Sequence, residues 1–158
     1  MKIVQPIRDK NKINEMKIEL RKKGTRDYLL FVTGINTGLR ISDIIKLKVS
    51  DVLNEDRTVK SHICIIEKKT KKRKRFKIND TLSREFAEYT KNMNMSDYLF
   101  NSRKGKNEPI TRVQAYRILN EVATKIGLEE IGTHTLRKSF RLSFLQKNKR
   151  CSNATEII

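Results

Sequence analysis

Apolar residues recur every three to four positions in several stretches of this chain, a spacing that predicts amphipathic helices. Residues 11–22 form the first stretch, and Gly24 ends it. Thr25 is expected to cap a second helix with a broad apolar face, which ends in turn residues at Gly38. Because that face is broad, we expect the second helix to lie at the centre of the core.

Three further stretches show the same spacing. Ser42 and Asp43 suit a helix start, and a short apolar stripe is formed by Ile41, Ile44, Ile45 and Leu47. Residues 79–81 are expected to cap another helix, and residues 109–111 begin a long helix that Gly127 stops. The residues predicted to face the core from this long helix are Val113, Tyr116, Leu119, Val122, Ala123 and Ile126.

One region favours strands over helices. Residues 49–52 lead into a polar turn, and residues 58–67 are rich in β-branched side chains, which predicts a strand. Cys64 lies among these isoleucines and is expected to be a small buried hydrophobe. Apolar alternation resumes at residues 76–78, so the basic run between the strands becomes the tip of a β-hairpin. The predicted fold is α+β, a mainly helical single domain with a small antiparallel sheet.

The charge of the chain indicates its partner. The 158 residues suffice for one domain with a real core. Lysine and arginine total 36 against 18 aspartate and glutamate, so the net charge is +18. Such a surface repels itself unless a polyanion binds, which predicts nucleic acid as the partner and an affinity that falls steeply with salt. An anionic membrane is the rival, but no basic amphipathic helix with large apolar residues supports it.

Other classes of protein find little support. Cys64 and Cys151 form neither a CxxC motif nor a zinc spacing, which fits a reduced, intracellular setting. With DNA as the partner, we expect a cytoplasmic, nucleoid-associated protein. The first residues lack the apolar core of a signal peptide, and no apolar run has the length of a membrane span. We therefore predict no membrane partner and no small-molecule substrate.

Three basic sites stand apart from the general charge. Arg40 follows a Thr-Gly-Leu turn at a helix start, and Lys69 lies at the predicted hairpin tip. His134 and Arg137 are three residues apart and so share one face of a helix. In phosphoryl transfer, two guanidinium groups can hold the phosphate and a lysine or histidine can protonate the leaving oxygen. The chain offers no carboxylate cluster for a metal, so we predict neither a metal nor a cofactor.

Each of these sites has a plainer interpretation when taken alone. Arg40 fits an exposed arginine at a helix start, and His134 fits a capping or core histidine. The basic run at residues 68–75 fits a solvated surface that faces nucleic acid, and charge alone does not identify which lysine matters. Their combination favours a phosphate site. The DNA-contacting residues predicted within the run are Lys68, Lys71, Lys72, Arg73, Lys74 and Arg75.

The three sites carry a family resemblance. Residues 37–44, Thr-Gly-Leu-Arg-Ile-Ser-Asp-Ile, resemble the first signature of the tyrosine recombinase (phage integrase) family. Residues 67–70, Glu-Lys-Lys-Thr, resemble its hairpin lysine motif, and residues 133–140, Thr-His-Thr-Leu-Arg-Lys-Ser-Phe, its second signature. The motifs occur in the family's order and spacing. The resemblance implies an α+β catalytic domain, here residues 1–140, that cuts and rejoins DNA through a 3′-phosphotyrosine without metal or high-energy cofactor.

The resemblance also implies a role for each site residue. Arg40 and Arg137 would hold the scissile phosphate, and Lys69 would be the general acid on the 5′-oxygen. His134 would assist proton transfer, and Asp43 would support the site from behind. Other recombinase protomers are expected as partners besides DNA.

The chain departs from the family at the nucleophile. The family's tyrosine lies downstream of the second signature, whereas the four tyrosines here all precede it: Tyr28, Tyr89, Tyr98 and Tyr116. An A/T-rich back-translation of residues 141–158, shifted by one base, encodes a Gly-Tyr-His stretch that resembles the family's continuation. We therefore expect residues 141–158 to be a non-family tail that arose by a frameshift, and strand transfer to be incomplete.

Three functions are compatible with the sequence. The first is a tyrosine recombinase catalytic domain that grips the scissile phosphate but lacks its nucleophile. The second is a non-catalytic basic DNA-binding remnant or regulator. The third is a basic RNA-associated protein with a coincidental motif set. Only a short lead-in precedes the first predicted helix, without the DNA-clamping domain of many recombinases, so we expect DNA affinity to be weak and largely electrostatic.

Overall fold

Residues 7, 9–67, 69–128 and 135–140 are described by the computed structural model. They form helices, one two-stranded antiparallel sheet and a helical segment at residues 135–140, so the predicted mainly helical α+β fold is confirmed. The elements are α1 (Lys10–Lys23), α2 (Thr25–Thr37), α3 (Ile41–Ile44), α4 (Val49–Val52), β1 (His62–Ile66), β2 (Arg73–Lys77), α5 (Asp80–Tyr89) and α6 (Arg112–Lys125). Within these ranges no helix is long and apolar enough to cross a bilayer.

Helix α2 is the centre of the core, as its apolar face predicts. It contacts α1, α3, α5 and α6, and its buried apolar residues are Tyr28, Leu29, Leu30, Phe31 and Val32. The cap at its start is Gly24, so the prediction that Thr25 caps it is wrong. Gly24 also ends α1, where its N–H donates to the Leu20 carbonyl, so a single residue joins the two helices and Thr25 already lies inside α2. At the other end Gly38 adopts the left-handed conformation expected of a terminating glycine.

Helix α6 packs against α1 and α2, and its start is fixed by a capping box. The Thr111 hydroxyl accepts from the Gln114 N–H at 3.1 Å, and the Gln114 side chain accepts from the Thr111 N–H at 2.9 Å. The prediction that Val113 faces the core is wrong, because 66% of its surface is exposed. Val113 lies two residues before the buried Ala115, which places it on nearly the opposite side of the helix.

The stretch before the hairpin contains more helix and less strand than the sequence indicates. Residues 49–52, which we expected to lead into a turn, form the short helix α4. Strand β1 begins at His62 instead of residue 58, because Val59 pairs with Leu53 in an isolated bridge and leaves the ladder.

The hairpin has one face in the core and one in solvent. Ile63 is fully buried and lies opposite Phe76, whereas the next residue, Cys64, lies opposite Arg75. Successive strand residues point to opposite faces, so Cys64 is exposed and the prediction that it is buried is wrong.

Candidate active site

Arg40 stands at a reversal of the chain just beyond α2. Gly38 has a φ of 73° there, a conformation that favours glycine, and the chain then turns into α3 with Arg40 as its N-cap residue. The Arg40 carbonyl accepts hydrogen bonds from the N–H groups of Asp43 at 2.9 Å and Ile44 at 3.0 Å. Its side chain is exposed. The backbone is therefore fixed while the guanidinium projects into solvent.

The helical segment 135–140 packs on α2 at two glycines about one turn apart. A methyl group added at Gly34 would lie 2.5 Å from Leu136 Cδ1, and one at Gly38 would lie 2.5 Å from Phe140 Cδ1. Both distances are well below the ordinary carbon–carbon contact of about 3.5–4.0 Å. Leu136 and Phe140 are also four residues apart, so their spacing matches that of the glycines. Only residues without a side chain permit this approach.

A hydrogen bond from the start of the chain reinforces the docking of this segment. The Ser139 hydroxyl donates to the Thr135 carbonyl at 2.8 Å and accepts from the Ile7 N–H at 2.8 Å. All three residues are buried. Ser139 therefore ties residue 7 to a helix that is 132 positions away in sequence.

These contacts bring the two predicted phosphate-holding arginines to the same end of α2. Arg137 is half-buried and directly follows Leu136, which packs on Gly34. Arg40 lies two residues beyond Gly38, on which Phe140 packs. His134, the other predicted residue on this helix face, lies outside the described residues.

The hairpin turn presents Lys69 to solvent. The Glu67 carbonyl accepts from the Lys71 N–H at 2.9 Å, and Lys71 has a positive φ of 53°. Lys69 is exposed and its side chain makes no hydrogen bond or ion pair with the described part of the chain. A lysine with three free donors at a turn is available to an incoming oxygen.

The Glu67 carboxylate connects this turn to Arg40. The pKa of Glu67 is lowered first by a hydrogen bond from Lys74 and next by one from Thr70. The Lys74 Nζ lies 2.5 Å from Oε1, and the Thr70 hydroxyl donates to Oε2 at 2.9 Å. The positive charge of Arg40 also lowers this pKa, but to a smaller degree than Lys74 and Thr70 do.

Glu67 is the site residue that sequence reasoning missed. It stands within the hairpin motif, but its role was not predicted because it is an acidic residue among lysines. Its spacing of three residues from Thr70 is the signal that could have found it, since residues so placed can hydrogen-bond across a tight turn.

The remaining predicted residues are distributed as follows. Lys71, Lys72, Arg73 and Arg75 are exposed, and Lys74 is exposed and paired with Glu67, while Lys68 lies outside the described residues. The Asp43 carboxylate is half-buried and makes no hydrogen bond or ion pair with the described residues. In those same ranges no group of three or more histidine, cysteine, aspartate or glutamate side chains could hold a metal.

The tyrosines of the chain are engaged elsewhere. The Tyr28 hydroxyl donates to Glu85 at 3.3 Å, and the Tyr89 hydroxyl donates to the Leu99 carbonyl at 2.5 Å. Burial raises the pKa of Tyr89 to about 12. The Tyr98 ring lies under Lys48, and the Tyr116 hydroxyl is buried without a hydrogen-bond partner among the described residues.

The fold is that of tyrosine recombinase catalytic domains. The crystal structure of XerA recombinase matches with a TM-score of 0.71 at 21% identity, over 92% of this chain and 52% of that one. Lambda integrase (residues 75–356) bound to DNA matches with a TM-score of 0.66 at 18% identity, over 92% and 53%. A lambda integrase tetramer bound to a Holliday junction matches with a TM-score of 0.64 at 17% identity, over 90% and 43%.

The sequence places the chain within this class. The chain belongs to the phage integrase family, whose model matches residues 8–152. It is 50% identical over 158 residues to the probable integrase/recombinase YoeC of Bacillus subtilis, covering all of this chain and 84% of that protein. It is 31% identical over 124 residues to tyrosine recombinase XerA of Pyrococcus furiosus, covering 77% of this chain and 42% of that protein.

Two facts about coverage bear on the domain prediction. The chain spans less than half the length of the XerA protein but most of YoeC. The family match and the YoeC alignment both continue past residue 140. The boundary between a family domain at residues 1–140 and a non-family tail at 141–158 stays a prediction, and sequencing the gene across codon 141 tests it.

Proposed function

We propose that this domain binds double-stranded DNA and holds the scissile phosphate for site-specific cleavage and rejoining of DNA strands. The observation that carries the proposal is the packing of the segment 135–140 on Gly34 and Gly38, which brings Arg137 to the end of α2 that leads into Arg40. Membership of the phage integrase family supports it, and so does the net charge of +18. A DNA partner also implies a nucleoid-associated location.

The proposed roles follow from the chemistry of each side chain. Arg40 and Arg137 hold the scissile phosphate, because a guanidinium can donate two parallel hydrogen bonds to phosphate oxygens. Two such groups stabilise the negative charge that spreads over the phosphorus as it becomes pentacoordinate. When a tyrosine from another recombinase protomer attacks the phosphorus and displaces the 5′-oxygen, Lys69 donates a proton to that oxygen and His134 assists the transfer. Asp43 supports the site from α3.

The exposed cations of the hairpin form the proposed DNA contact beside the site. Arg73 and Arg75 are two residues apart on β2 and so lie on one exposed face, next to the turn that carries Lys69. The other cations proposed to contact the DNA backbone are Lys68, Lys71, Lys72 and Lys74. Further copies of this chain, or other recombinase protomers, are the proposed protein partners on DNA.

A second candidate function is a non-catalytic DNA-binding regulator. It is favoured by the state of the tyrosines, because the hydroxyls of Tyr28 and Tyr89 are hydrogen-bonded and that of Tyr116 is buried. The raised pKa of Tyr89 further disfavours its phenolate, which is the attacking form. We propose that none of the four tyrosines is the nucleophile of this chain.

One experiment separates these functions. The protein is incubated with nicked duplex DNA, its binding is measured, and a covalent protein–DNA adduct is sought on a denaturing gel. We expect binding without an adduct, and an adduct lost in a Tyr98→Phe or Tyr116→Phe variant would overturn the proposal about the tyrosines. Tighter binding to structured RNA than to duplex DNA would contradict the proposed function itself.

A further inference from the structure

A second basic site lies at the end of α2 opposite to Arg40. A cleft of about 440 Å³ opens there, between the junction of α1 with α2, the loop after Asn101 and one side of α6. Five of its lining residues are cations, namely Lys23, Arg26, Arg103, Lys104 and Arg117. Asp27 is the one acidic residue among the described lining residues.

Two of these cations are already neutralised. Arg26 is half-buried, and its guanidinium lies 3.0 Å from the Asp27 carboxylate and donates to the Asn101 carbonyl at 2.7 Å. Lys23 forms an ion pair with Glu121. The side chains of Arg26 and Lys23 therefore line the cleft in positions held by their ion pairs.

The other three cations carry unpaired charge. Arg103, Lys104 and Arg117 are exposed and make no hydrogen bond or ion pair through their side chains within the described ranges. Two carboxylates lie nearby. The pKa of Glu121 is lowered mainly by Lys23 and to a smaller degree by Arg117, and Glu108 Oε2 would lie 3.2 Å from a methyl group at Gly105. Because three positive charges face one cleft without forming ion pairs with the described residues, the site favours a ligand with several negative charges.

The loop that presents Arg103 and Lys104 is closed by its own hydrogen bonds. The Ser102 N–H donates to the Glu108 carbonyl at 2.7 Å, and the Lys104 N–H donates to the Ser102 hydroxyl at 3.2 Å. Gly105 has a φ of 84°, which only glycine adopts without strain and which permits the tight turn. The two cations are thus carried by an ordered turn, which reduces the entropy lost when they bind a ligand.

We propose that this cleft is a second phosphate-binding site, which holds the DNA backbone away from the phosphate at Arg40. The inference rests on the proposed function, since it assigns the same DNA to a second surface. Helix α2 has 13 residues and so separates the two sites by about 20 Å at 1.5 Å per residue. A duplex that lies along α2 would cover that distance in about six base pairs.

The test compares two charge-matched triple variants. The cleft variant carries Arg103→Ala, Lys104→Ala and Arg117→Ala, which remove no side-chain hydrogen bond or ion pair with the described residues, and thermal melting checks that its fold is intact. The control carries Lys10→Ala, Arg84→Ala and Lys91→Ala, three exposed cations outside the cleft. Affinity is measured for wild type, both triple variants and Arg40→Ala on hairpin-capped duplexes of about 8 to about 24 base pairs.

Wild-type affinity should rise once the duplex is long enough to reach both sites. The cleft variant should lose about tenfold or more on the longest duplex and less than about twofold on the shortest. Its plot of log affinity against log salt should be shallower on the long duplex by about 0.9 for each lost phosphate contact. The control should lose equally at every length.

Two outcomes would overturn the cleft assignment. In one, the cleft variant and the control lose the same affinity at every length. In the other, the cleft variant binds long DNA normally but loses affinity for poly-glutamate, which would assign the cleft to an acidic protein segment. If wild type binds no duplex at all, the proposed function fails, whereas binding that depends on Arg40 but not on the cleft refutes the cleft alone.

Discussion

Leu136 packs so closely on Gly34 that a methyl group there would lie 2.5 Å from its Cδ1 atom. This contact joins α2 to the segment that carries Arg137, and Phe140 repeats it at Gly38. The position of Arg137 relative to Arg40 therefore depends on two residues that lack side chains.

Gly34→Ala tests this contact. Alanine in a helix is normally about 1 kcal/mol more favourable than glycine. Here we expect the opposite, a loss of about 1–3 kcal/mol through overpacking against Leu136, together with weaker DNA binding as Arg137 is displaced. Thermal unfolding measures the first effect and fluorescence anisotropy the second.

The matched control for this variant is Leu136→Ala. In that background the added methyl meets less of the leucine side chain, so Gly34→Ala should cost less than it does in the wild type. A Gly34→Ala protein that is more stable than wild type would show that the segment 135–140 does not pack on α2 in this way.

Ser139→Ala tests the link between residue 7 and the same segment. The variant leaves the buried Ile7 N–H without its acceptor, and we expect a loss of about 1–3 kcal/mol in the free energy of unfolding. Ser83→Ala on α5 is the control, because that side chain makes no hydrogen bond with the described residues and should change stability by less than about 0.5 kcal/mol. Equal losses of unfolding free energy in the two variants would show that the hydrogen bonds of Ser139 do not stabilise the fold.

The pKa of Glu67 reports on the distance between Arg40 and the hairpin. NMR titration should show that Lys74→Ala raises this pKa the most and Arg40→Ala raises it less, because Lys74 donates directly to the carboxylate. Lys72→Ala, which removes an exposed cation absent from these contacts, should leave it unchanged. If Arg40→Ala leaves the pKa of Glu67 unchanged, the Arg40 guanidinium lies too far from the hairpin to affect it.

The same pKa gives a dependence of stability on pH. A carboxyl whose pKa is lowered in the folded state stabilises the fold above its unfolded pKa, and this stabilisation is lost as the pH falls through the folded value. Wild type should therefore have a higher melting temperature than Glu67→Gln at neutral pH, and the two melting temperatures should converge in acid, below the ordinary glutamate pKa of 4.5.

The sequence was a good guide where one local rule decides the structure. The apolar period of α2, the left-handed turn at Gly38 and the alternation around the hairpin each depend on neighbouring residues, and the helical core and hairpin followed from them. It failed at Cys64 and Val113, where an apolar residue in an apolar stretch falls on the solvent face. Tertiary packing determines which face of a strand or helix turns to the core, and at those two positions it turned the side chain to solvent.

The site was only partly predictable for the same reason. Motifs identified Arg40, Lys69 and Arg137 as candidates, whereas the contact of Leu136 with Gly34 joins residues about a hundred positions apart in sequence. The basic cleft at Arg103 and Arg117 likewise needs three separate elements to meet. No local pattern encodes either arrangement.

The most direct test of the central claim is the affinity of three single variants for duplex DNA. If Arg40 and Arg137 hold a phosphate, Arg40→Ala and Arg137→Ala should each weaken binding about tenfold or more, since each removes a charge-assisted contact. Lys22→Ala, which removes an exposed cation paired with Glu19 on α1, should weaken it less than about twofold. Equal losses in all three variants would reduce the site to bulk positive charge and contradict the proposed phosphate grip.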